Sequence, residues 1–130
     1  MAKWRNKRGA SAVEFALVLP ILILLFIGIV DFGLLIYDKQ VITNATREGA
    51  RAGIVSKVPR LSASDITGVV DAYAKDRLVS LRPSTRYKSE VPSGACTAFG
   101  NDLVVTAAYD HKFLLVTTVN LTSQASMKCE

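Results

Sequence analysis

Few residues in this 130-residue chain have a type and spacing that could do chemistry. The one histidine, His111, stands between Asp110 and Lys112, a setting that reads as a solvated turn. No group of His, Cys, Asp and Glu has metal-ligand spacing, so no metal is expected. No glycine-rich phosphate loop is present, and no serine, histidine and acid are arranged as a nucleophile elbow or triad. The chain therefore reads as a non-enzyme without a cofactor. Two chemistries remain. Cys96 and Cys129 could oxidise to a disulfide, and Glu14 sets a carboxylate five residues past Gly9, inside an apolar run.

That run dominates the sequence. Sixteen residues from Phe15 to Val30 carry no charge, and Ala10 to Val30 supplies twenty-one residues of membrane-helix character, with Glu14 the one exception. A bilayer core about 30 Å thick needs roughly 20 such residues. Lys3, Arg5, Lys7 and Arg8 come directly before it. The positive-inside rule then puts the N-terminus in the cytoplasm and everything after Tyr37 outside. The formal charge of +5 follows from this head: without it, twelve bases face eleven acids. A nearly neutral remainder offers no electrostatic footprint for nucleic acid. Cys96 and Cys129 both fall on the outer side, where a disulfide persists. A bridge closing thirty-odd residues is worth roughly 3–4 kcal/mol by loop entropy. The alternative is two unpaired small hydrophobes.

Beyond the membrane the helix continues as an amphipathic extension, with Val41, Ala45, Gly49 and Ala52 on one side. It ends at Ser56 to Pro59, because a residue before proline disfavours helix. Asp31 and Asp38 mark the outer end of the apolar run, with Tyr37 at interface depth. A second helix starts near Ser62, where Ser62-Ala-Ser-Asp65 fits a capping box. Its stripe is Ile66, Val69, Val70, Tyr73, Arg77/Leu78 and Leu81, its outer side has an Asp71–Lys75 pair, and Pro83 stops it. The period then changes to two. Strands are expected over Thr85 to Val91, Leu103 to Tyr109 and Leu121 to Cys129, while Phe113 to Val119 stays ambiguous. The expected fold is α+β: a long N-terminal pilin-like transmembrane helix, a second helix and a small three-stranded antiparallel sheet.

A basic head, then Gly9, Ala10 to Val13, Glu14 and Phe15, resembles a type IV prepilin. Val18-Leu-Pro-Ile-Leu22 and Asn44-Ala-Thr-Arg-Glu-Gly-Ala-Arg-Ala52 extend the likeness, and the chain resembles the TadE family of the tight adherence (Flp) pilus system. Major Flp pilins have Tyr at the position of Phe15 and are much shorter, which favours a minor subunit. The resemblance implies a prepilin peptidase that cuts between Gly9 and Ala10 and methylates Ala10. It also implies an assembly role for Glu14 and Phe15. The partners it implies are other minor pilins, the major Flp-type pilin, the assembly platform in the bacterial inner membrane and the lipid bilayer. On this reading residues 1–9 are a leader, 10–56 a transmembrane and extended helix, and 57–130 a small periplasmic α+β domain. An ordinary secretory signal would have a shorter core followed by a small-residue cleavage site. Two alternatives remain: a signal-anchored periplasmic domain unrelated to pili, and a major pilin.

Overall fold

The computed structural model describes residues 7–55, 59–82, 86–114 and 117–130, with only the backbone at residues 7 and 8. Its element order is α1 (Lys7–Ile54), α2 (Ala63–Ala74), β1 (Tyr87–Glu90), β2 (Asp102–Lys112) and β3 (Thr118–Lys128). The strands form one antiparallel sheet in the order β1-β2-β3. This is the expected α+β architecture.

α1 is one helix of 48 residues that continues through Pro20, about 70 Å long at 1.5 Å per residue. Its two halves live in different surroundings. From Gly9 to Val30 no other described residue covers it, and every position is exposed except half-buried Ile27. From Asp31 onward one face is buried at Asp31, Asp38, Val41, Ile42, Ala45, Thr46, Gly49, Ala50 and Gly53. These recur every three or four residues, the period that keeps side chains on one face. The small residues let α2 come close. A Cβ on Gly49 would lie 2.3 Å from Val70 Cγ2, and one on Gly53 would lie 2.6 Å from Leu103 Cδ2.

α2 begins at the expected capping box. Ser62 Oγ accepts from the Asp65 N–H at 3.2 Å, and Asp65 Oδ2 accepts from the Ser62 N–H at 2.9 Å. The Ser62 hydroxyl, donating to Asp65 Oδ2 at 2.6 Å, and the Ser62 N–H hold the Asp65 carboxyl below the ordinary aspartate value. Ile66, Val70 and Ala74 form its buried row. The helix ends at Ala74 rather than carrying the stripe on to Leu81, and Pro83 lies outside the described residues. Its last turn closes on the Ala74 carbonyl, and the Val79 N–H goes to Asp38 on α1 at 2.8 Å. A tertiary bond has replaced the next helical one. Asp71, expected to pair with Lys75, accepts from Ser89 Oγ instead.

The sheet lays one face on the helices. Along β2, Leu103, Val105, Ala107, Tyr109 and His111 alternate inward, and on β3 Leu121, Ala125 and Cys129, just past its end, join the core. β1 is shorter than expected. Thr85 lies outside the described residues, and Val91 opens a turn closed by the Gly94 N–H on the Val91 carbonyl at 2.9 Å. Gly94 has φ 72°, a conformation open to glycine at little cost. β2 runs three residues past Tyr109, and β3 begins at Thr118, inside the stretch of ambiguous periodicity.

Candidate functional site: the uncovered helix and the cluster at its base

Gly9, Ala10, Glu14 and Phe15 all lie in the first turns of α1 and are exposed. A Cβ on Gly9 would meet nothing within 4 Å. Glu14 is four residues from Ala10, so the two share a helix face about 6 Å apart along the axis. Above them Leu17, Ile21, Leu25, Phe26 and Ile29 stand out from the helix, each at least 61% exposed. An apolar surface of this length is long enough to cross a membrane. It is also too large to be left in water by a soluble monomer.

Cys96 and Cys129 are joined in a disulfide with a Cα–Cα distance of 5.8 Å. Turn bonds hold the bridge in place: Cys129 donates to the Asn101 carbonyl, and the Gly100 N–H returns to Cys129. The next residue, Glu130, donates to the Ile54 carbonyl at the end of α1. Thus the two groups of residues singled out by sequence are not brought together. One lies at the start of α1 and the other beside its end.

The structure does bring together a set that sequence reasoning did not join. His111 is buried at the end of β2 rather than in a solvated turn. Its flanking charges suggested water, but the period-two row from Leu103 already points it inward. His111 Nδ1 lies 2.7 Å from Asp38 Oδ2, and Nε2 lies 3.5 Å from Asp31 Oδ1. Asp31 and Asp38 are seven residues apart, two turns of one face, and both are buried. Their other oxygens accept backbone amides, Leu114 N–H on Asp31 and Val79 N–H on Asp38, each at 2.8 Å. Burial raises the Asp38 carboxyl above the ordinary aspartate value, against the opposing pull of the Val79 amide and His111. Phe113 and Tyr109 pack edge-on to the imidazole at 5.2 Å and 6.5 Å between ring centres.

The cluster has two carboxylates and one imidazole, all buried; Asp31 Oδ1 and His111 Nε2 face each other at 3.5 Å without a hydrogen bond, and the other carboxylate oxygens and Nδ1 are hydrogen-bonded. Its geometry suits a structural tie between α1, β2 and two loops. Among the described residues no group of His, Cys, Asp and Glu is placed to hold a metal. The chemically exposed part of the molecule is the uncovered half of α1.

No curated protein and no solved structure matches the chain. One family model does match, over residues 9–51, from Gly9 to three residues before the end of α1. That model describes TadE-like proteins, and the match takes in a third of the chain, so over those residues the chain is similar to the TadE-like family.

Proposed function

We propose that the protein is a processed minor pilin-like subunit of the Tad (Flp) pilus. In this reading a prepilin peptidase removes residues 1–9 and methylates Ala10. Residues 10–30 then anchor the subunit in the inner membrane, with the disulfide-bonded part in the periplasm. The subunit acts in starting the fibre and in surface adhesion, beside other minor pilins, the major pilin and the assembly platform. The observation that carries the reading is the divided helix. Its first half is uncovered, apolar and headed by Gly9 and Glu14, while its second half holds a folded unit. Such a helix serves first in lipid and then against neighbouring helices.

The test is at Gly9, where a peptidase must approach the backbone closely and a side chain would obstruct it. Gly9→Val should stay membrane-inserted and migrate as the unprocessed form on an immunoblot. Normal maturation of that variant would remove the prepilin reading. A signal-anchored domain unrelated to pili would mature identically in both.

A further inference from the structure

The base of the folded part is built in an unusual way. Asp31 and Asp38, about 10 Å apart along α1, each hold the backbone of a different loop, at Leu114 and at Val79. Ser80 Oγ donates to the Lys112 carbonyl at 3.1 Å, so the two loops are also tied to each other. His111 fills the space between the carboxylates. Yet the two held residues and their neighbour Leu81 turn apolar side chains outward: Val79, Leu81 and Leu114 are 43%, 44% and 40% exposed. At the same level α1 keeps Phe32 and Ile36 exposed. The ionisable groups point in and the apolar ones point out.

We propose that this collar seats on the bilayer surface, so that the membrane contact is the helix plus two loops. This rests on the anchor reading of residues 10–30. About twenty residues cross the hydrocarbon core, and the headgroup region adds roughly 5–8 Å on each side. A span from Ala10 ends near Val30, so Leu114, held at Asp31, falls at the boundary of acyl chains and headgroups. Val79, held at Asp38 about 12 Å past Val30, lies at the outer limit of the headgroups. The collar is continuous with the uncovered helix below it. In water the outward Leu114 gains nothing, whereas at the interface it is withdrawn from it, with Val79 and Leu81 grazing the outer headgroups. The buried polar cluster then has a use: it fixes two loop backbones at a set height on the helix.

Tryptophan depth measurements on the full chain test this. In a Trp4→Phe background, single tryptophans replace Leu114, Val79, Phe26 or Phe99. Each variant is reconstituted in phosphatidylcholine–phosphatidylglycerol vesicles containing brominated lipid. Phe26→Trp reports the span, and Phe99→Trp, 84% exposed beside the disulfide-bonded loop, reports water. The expected result is graded. Leu114→Trp emission shifts to the blue and is quenched best by lipids brominated high on the acyl chain, to an extent between the two controls. Val79→Trp shows a smaller loss. If Phe26→Trp is quenched while Leu114→Trp and Val79→Trp both match Phe99→Trp, the collar is overturned, the anchor stands, and the apolar rim falls to a protein neighbour. An unquenched Phe26→Trp would overturn the anchor and the collar together. Should one loop variant fail to fold, the other decides.

Discussion

Glu14 is a carboxylate on the first turns of a helix whose next sixteen residues carry no charge. A charge within a membrane helix costs at least about 2.5 kcal/mol on insertion scales, so it is usually paired and functional. Under the proposed processing, the new amine on Ala10 lies one turn away, on the same subunit or on a neighbour arriving in the fibre. Glu14→Leu should therefore insert as well as the wild type and still be cleaved, while surface fibres are lost from a strain carrying only the variant. Normal fibre counts with full processing would leave Glu14 without an assembly role. The cluster at Asp31, Asp38 and His111 poses a different residue-scale question, one of stability. Removing the imidazole leaves buried Asp38 Oδ2 without its hydrogen-bond partner, and an unsatisfied buried polar group costs about 1–3 kcal/mol. His111→Leu should lose that much in urea unfolding followed by circular dichroism. A loss within about 0.5 kcal/mol, the range of ordinary surface changes, would mean the cluster bears no weight. This cluster was only half legible in the sequence. Periodicity puts His111 in the row of Leu103 to Tyr109, and seven-residue spacing puts Asp31 and Asp38 on one helix face. Nothing local says that the row and the face meet, since their pairing spans 73 residues.

At the scale of elements, the close approach of α1 and α2 depends on glycine. Alanine at position 49 gains about 1 kcal/mol of helix propensity. It also forces a methyl against Val70, which is fully buried and cannot move away. Overpacking of that kind costs about 1–3 kcal/mol, so Gly49→Ala should lower the melting temperature. Gly28→Ala, with nothing within 4 Å of the added carbon, should leave it unchanged. Equal melting of both variants would mean that the helices separate freely and that the packing described here is not limiting. The elements themselves were largely readable, because each has a distinct period: three to four in α1 and α2, two in the strands. Element ends were less so. The stripe of α2 continues in sequence to Leu81, but Asp38 captures the Val79 amide and ends the helix sooner. Similarly, β2 runs on to Lys112 because β3 pairs with it to Thr118, a bond pattern that the charges at Asp110 and Lys112 conceal.

Taken whole, the molecule is a helix half bare and half clothed. The clothed half is closed at its far end by the Cys96–Cys129 bridge, worth about 3–4 kcal/mol by loop entropy. That bridge and the core around it make a unit whose folding does not draw on the first thirty residues, so lipid and neighbouring subunits can exchange around the bare half without disturbing it. The proposed life of the subunit, anchored first and assembled later, needs this independence. It also needs the basic head to be removed, because four cations before Gly9 would otherwise stay at the end that must pack against other helices. Intact mass spectrometry on the protein extracted from membranes tests this most directly. The account predicts the mass of Ala10 to Glu130 with one added methyl group, less the hydrogens lost on disulfide formation. The mass of the whole chain, with residues 1–9 retained, would contradict it.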